Sequence, residues 1–253
     1  MTFKEWILSS YENPDINGQW GARHIIVLIL CIGLIVAFAF LFRNKNERTR
    51  KIVLYSLVGL ILFFEIMRRV LNLIRHEHVT LDDYLYTLLP RPWCAISCWM
   101  CIISVFVNKK FFYNITSITA LLCAVIFFAY PGAGFNNKYI LFENLYSIST
   151  HALILITSIT LITLRFADFR YNGIWKEAIT LAVIFIYAFI EIYVLHTSDD
   201  PLYFMPNNDV QDILGLPYPA FLVIYIVFML VWVNAFYLIN DRKTVFCKKQ
   251  KIK

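Results

Sequence analysis

Apolar residues fall along this chain in long, nearly uninterrupted runs, not at the spacing of an amphipathic soluble helix or the alternation of a strand. Seven runs are long enough to cross about 30 Å of hydrocarbon as helices. They are His24 to Phe42, Ile52 to Ile74, Tyr86 to Val107, Phe111 to Tyr130, Tyr139 to Leu164, Trp175 to His196 and Pro217 to Asn240. The pattern predicts an all-α, polytopic membrane protein: one transmembrane domain over residues 1–253, built as a seven-helix bundle. Before the first run, Phe3, Trp6 and Ile7 have the spacing of a short interfacial helix, and nothing there reads as a cleavable signal peptide. The longest connections, around Ala133 to Lys138 and Thr197 to Leu216, are too short to fold alone.

Composition agrees with the pattern. Of 253 residues, 60% are apolar, 17% aromatic and only 16% charged, and mean hydropathy is +0.64. A soluble domain carries about a quarter of its residues as Asp, Glu, Lys and Arg. A disordered chain, a disulfide scaffold and an ordinary cytosolic enzyme are thereby excluded. The net charge of +6 is an orientation signal. Of the 23 Lys and Arg, 16 fall in the first, third and fifth connections and the tail, four on the alternate side, and three within the runs. The positive-inside rule then places the C-terminus in the cytoplasm and the N-terminus outside. The tail (Arg242, Lys243, Lys248, Lys249, Lys251, Lys253) reads as a cytoplasmic anchor against anionic lipid, so membrane lipids are the expected partners and nucleic acid is not. The pattern specifies no oligomeric state.

Ionisable groups at bilayer depth each cost a few kcal/mol to insert, so each needs a partner, a wet cavity or a function. Glu65, Arg68 and Arg69 lie toward the outer end of the second span and Glu191 toward the outer end of the sixth. Arg91 and Cys94 lie in the outer third of the third span; Asn144 and Glu143 near the outer surface of the fifth, with His151 two to three turns deeper. The inner halves are mainly Ile, Leu, Val and Phe. An outward-facing polar cavity, closed at its base, is the expectation. Plainer readings stand beside it. Glu65 with Arg68 and Arg69 has the spacing of an ion pair internal to one helix, Glu191 is placed to reach the interface, and His24, His76, His78 and His196 read as interfacial or solvated. His151 is either a structural histidine bonded to a neighbouring helix or a catalytic base.

Five of the six cysteines sit inside the runs, where cysteine behaves as a small apolar residue and no disulfide framework is indicated. Cys98 and Cys101 form a CxxC without a second ligand pair, so close helix packing is expected there and neither a metal nor a cofactor. Cys94 differs because it follows "LLPRP". Pro90 and Pro92 donate no backbone hydrogen bond, so the start of the third span should be kinked or unwound at the level of Cys94. A cysteine thiol is mostly protonated at neutral pH; as a nucleophile Cys94 would need His151 as base and Arg91 as a nearby cation.

The segments "QWGARHIIVLIL", "LDDYLYTLLPRPWC", "STHALILI" and "YFMPNNDVQDILGLPYP" together resemble the YwaF-like bacterial integral membrane proteins over most of the chain. The last is the most specific. Pro92 stands where members usually carry a His two residues before the cysteine. The resemblance implies a multi-pass protein of the bacterial plasma membrane. That family is similar to an animal transmembrane family proposed to be a lipid acyltransferase with a Cys and His pair, and more distantly to the androgen-induced membrane hydrolases, which use a Thr and His on fatty-acid esters. Carried over by motif, the nucleophile falls on Cys94 and the base on His151.

Two functions of different class follow. One is an intramembrane acyltransferase or lipid-ester hydrolase using Cys94 and His151. The other is a small-solute transporter or non-catalytic membrane protein in which Glu65, Arg68, Arg69 and Glu191 line a polar cavity. Against transport, the inner halves offer no polar continuation and no pair of Gly/Pro-broken spans suggests inverted repeats.

Overall fold

The computed structural model describes residues 3–8, 20–75, 81–90, 93–129, 132–135, 140–170, 173–195, 205–206 and 208–241. Helices account for all the regular structure among these residues: α1 (Phe3–Leu8), α2 (Ala22–Phe42), α3 (Glu47–Arg75), α4 (Leu81–Leu88), α5 (Trp93–Val107), α6 (Lys110–Ala129), α7 (Gly132–Phe135), α8 (Phe142–Thr163), α9 (Ile174–Tyr193), α10 (Asp209–Leu214) and α11 (Tyr218–Asn240). Four of them, α2, α6, α8 and α11, are long and apolar enough to cross a membrane. The helices α3 and α9 match them in length but carry Glu65, Arg68 and Arg69, and Lys176, Glu177 and Glu191, among their apolar residues. The basic tail, Arg91, Pro92, His76, His78 and His196 lie outside the described residues.

The third apolar run was expected to be one span with a disturbed start. It is instead two helices, the short α4, which ends at Leu88, and the longer α5, which starts at Trp93. The two prolines remove donors that a continuous helix would need, and each biases the residue before it away from helical geometry. Another departure is at α3, which begins at Glu47 instead of Ile52. Its polar first turn is stable because Asn46 Oδ1 accepts the Thr49 N–H at 2.9 Å and Lys51 pairs with Glu47 one turn away.

The chain divides into two compact units: residues 1–90 with 94–167, and residues 91–93 with 168–253. In the first unit α8 is the axis, packing against α6, α3, α2, α7 and α1. Its core joins Cys31 of α2, Leu54, Val58 and Ile61 of α3, Cys98 and Cys101 of α5, Ala120 and Ala124 of α6, and Ile154 and Leu161 of α8. Small residues let these helices approach closely, and several of their hydroxyls donate to backbone carbonyls. Ser117 donates to Asn114 O at 2.8 Å, Thr119 to Ile115 O at 2.8 Å, and Thr116 reaches across to Met100 O at 3.1 Å. The short helix α1 is held by Trp6, whose indole N–H donates to Ile140 O at 2.8 Å.

In the second unit α9 packs on α11, and α10 precedes α11. The motif "NDVQDILG" forms a self-contained capped turn. Asn208 Oδ1 accepts the Gln211 N–H at 2.9 Å, Gln211 Nε2 donates to Leu216 O at 3.1 Å, and Gly215 supplies the left-handed residue (φ 62°) that ends the helix.

Candidate active site

Two groups of polar residues lie inside the first unit. The first is centred on Glu65, 3% exposed on α3. The i+3 and i+4 spacing is realised as geometry: Arg69 Nη1 is hydrogen-bonded to Glu65 Oε2, and Arg68 Nε lies 3.4 Å from Glu65 Oε1. Arg69 is further committed. Its Nε donates to Leu88 O at 3.2 Å, at the end of α4, and its guanidinium lies 5.3 Å from the centroid of the Trp99 ring on α5. Arg69 thus pins both sides of the break that precedes Cys94. Arg68 retains capacity, since among the described residues its buried Nη2 has no hydrogen-bond partner. It lies within electrostatic reach of Cys94, Cys98 and Tyr146 as well as Glu65.

Cys94 is a free, partly buried thiol in the first turn of α5. The first N–H groups of any helix lack intrahelical acceptors. Here those of Cys94 and Ala95 lie beside the sulfur. The break between α4 and α5 therefore does more than bend the third apolar run: it creates a helix start, with amides that have no intrahelical acceptor, at the cysteine. The structure supplies Cys94 with Arg68 as a cation, a residue that sequence reasoning had assigned to an ion pair or a cavity wall.

His151 forms the second group. It lies in α8, buried, with Nδ1 2.8 Å from Ser147 O. A carbonyl oxygen only accepts, so Nδ1 carries the hydrogen and, in the neutral ring, Nε2 holds the lone pair. The imidazole is stacked on Phe127 of α6, with centroids 3.6 Å apart and planes 8° from parallel. Asn144 caps α8. Its Oδ1 accepts the Leu141 N–H at 3.1 Å and its Nδ2 donates to Gly134 O at 3.2 Å, so it ties α7 to α8.

His24, expected at the interface, is instead fully buried at the head of α2, among the rings of Trp20, Phe128 and Phe135 at 5.0, 6.2 and 5.1 Å. In the second unit Glu191, also expected to reach the interface, is fully buried and accepts from Tyr187 OH at 2.6 Å. Glu177, which the sequence did not single out, is buried near the other end of α9 and accepts from Tyr237 OH of α11. Among the described residues no group of three or more His, Cys, Asp and Glu side chains is arranged to hold a metal ion.

A bundle of long apolar helices with charged and polar side chains folded into its interior defines a multi-pass membrane protein. Residues 19–237 match the model of the TMEM164 family, and the chain belongs to that family of membrane proteins. No curated protein and no solved structure matches the chain.

Proposed function

We propose that this TMEM164-family protein is an intramembrane enzyme that transfers or hydrolyses acyl groups of lipid esters, with Cys94 as nucleophile and His151 as base. This reading follows the resemblance to YwaF-like proteins of the bacterial plasma membrane and to the Cys/His acyltransferases. It takes α2, α3, α5, α6, α8, α9 and α11 as seven spans, with the N-terminus outside, the C-terminus cytoplasmic, and Cys94 and His151 in the outer half. The observation that carries it is the hydrogen bond from His151 Nδ1 to Ser147 O, which leaves Nε2 as the basic nitrogen of a buried ring.

In this reaction Cys94 Sγ forms a bond to the ester carbonyl carbon and the carbon–oxygen bond to the glycerol breaks, giving a thioester and a lysolipid. The thiol proton passes to His151 Nε2 and from there to the departing oxygen. The amides of Cys94 and Ala95 and the spare donor of Arg68 face the charge that develops on the carbonyl oxygen. The oxygen of an acceptor hydroxyl, or of water, then bonds to the thioester carbonyl carbon as the carbon–sulfur bond breaks, and its proton passes through the same nitrogen to the departing Cys94 sulfur. Arg91 and Glu191 have no assigned step, and Asn144 supports the histidine helix.

Purified protein in vesicles containing phosphatidylcholine with an alkyne-tagged acyl chain tests the proposal. A tag on the protein that hydroxylamine removes, and that Cys94→Ala and His151→Ala lose, is expected. Absence of the tag from the wild type, or its persistence in Cys94→Ala, overturns the assignment.

A further inference from the structure

The stack of Phe127 on His151 is itself held by a feature with no side chain. A Cβ placed on Gly134 would lie 2.8 Å from Phe127 Cζ, closer than a side-chain carbon approaches, and 3.1 Å from Ile148 Cγ1, a tight contact. Gly134 is therefore seated against the edge of the Phe127 ring, and a side chain at position 134 would push that ring from its place on the imidazole. The glycine is not free to withdraw. Asn144 Nδ2 holds its carbonyl oxygen at 3.2 Å, while Asn144 Oδ1 closes the first turn of the helix that carries His151. Phe135, the next residue, packs on both Phe127 and His24, with centroids 6.3 and 5.1 Å away.

These contacts form one continuous chain from Asn144 through Gly134 and Phe127 to His151. Two constraints then act on the imidazole from different directions. The Ser147 carbonyl fixes which nitrogen is protonated, and the Phe127 face fixes the plane in which the other nitrogen points. A general base must meet the proton it accepts within hydrogen-bond reach, and misplacement by about 1 Å costs on the order of a hundredfold in rate.

We infer that Gly134, Phe127 and Asn144 are positioning residues that set the orientation of the His151 ring for its work as base. This inference rests on the acyl-transfer reading above. It assigns a function to the short turn α7, whose length and composition otherwise suggest only a connection.

The test is a double-mutant cycle on the rate of Cys94 thioester formation, using the alkyne-tagged phosphatidylcholine vesicles and the full chain. Gly134→Ala is expected to lower the saturated rate by about tenfold or more while leaving the half-saturating lipid content unchanged, because the lipid still binds but the base is turned away. Phe127→Leu, which removes the stacking face, should show the same split. The double variant should be no slower than Phe127→Leu alone, since the added methyl then has no ring to push. Losses that multiply, or a change confined to half-saturation, would overturn the inference. Should Gly134→Ala not fold, Asn144→Ala and Phe127→Leu complete an equivalent cycle with the same expectations. The failures separate cleanly. If His151→Ala acylates at the wild-type rate, the acyl-transfer reading fails; if His151→Ala is inactive and Gly134→Ala is normal, only the positioning chain fails.

Discussion

Arg50, in the first turn of α3, donates from Nη1 to the carbonyl oxygen of Leu164 at 2.7 Å, where α8 ends. The last carbonyls of a helix lack intrahelical partners and carry the negative end of its dipole, so a guanidinium there satisfies both. Arg50→Leu should destabilise the protein by about 1.5–3 kcal/mol, the range for a hydrogen bond to a charged group. Arg50→Lys should retain part of this, having the charge without the planar fork. Denaturant unfolding in micelles measures both; equal stability of all three proteins would mean that the contact contributes nothing.

Glu65 is the anion for two guanidinium groups. Glu65→Leu leaves both inside the helix bundle without it, and a loss of about 3–5 kcal/mol is expected. Adding Arg68→Leu and Arg69→Leu should restore much of the stability, because removing a whole buried ionic group is far milder than removing one member. The triple variant should nevertheless lose thioester formation at Cys94, which separates the stabilising from the chemical part of the cluster.

Lys51 Nζ lies 2.6 Å from Glu47 Oε1 on the first turn of α3, where both side chains reach solvent. Hydrogen bonding and charge from Lys51 hold the Glu47 carboxyl below its ordinary value of 4.5, and the reciprocal effects hold Lys51 above 10.5. The Glu47 contribution is therefore present above 4.5 and lost as pH falls through the lowered value. The Lys51 contribution is present below 10.5 and lost as pH rises through the raised one. Carbon NMR of labelled glutamate should give a Glu47 midpoint below 4.5 that climbs toward it in Lys51→Met and in high salt. A midpoint indifferent to Lys51 would show that the pair does not form.

Tyr237→Phe removes the hydroxyl that Glu177 accepts and should cost about 1–3 kcal/mol. Tyr237→Ala should cost more, because the ring also packs edge-on against Phe169 at 5.5 Å. A thermal melt in detergent ranks the three. If Phe is as stable as Tyr, the ring alone accounts for the site.

The long helices were legible in the sequence because their apolar runs are nearly unbroken: α2, α6, α8, α9 and α11 each begin and end within three residues of those runs. The break before Cys94 was legible too, since two prolines announce it, but α4 was not, because "LDDYLYTL" has neither the length nor the apolarity of a span. The Glu65 cluster could be read from spacing along one helix. The burial of His24 could not: it depends on Phe128 and Phe135, which reach it only through tertiary packing. Gly134 gave no signal at all, since a glycine between two apolar runs reads as a turn until the ring it accommodates is seen.

The position of α6 has a consequence for biosynthesis. Its row of Asn114, Thr116, Ser117 and Thr119 is buried, and the helix packs extensively against α8, which is made later. When α6 first leaves the ribosome, the surface that α8 will cover has nothing opposite it except lipid or the insertion machinery. The two helices must settle together, and a chain stopped near residue 140 leaves α6 without its principal neighbour. Chains truncated before and after α8 should therefore differ sharply in how long α6 remains crosslinkable to the insertion channel.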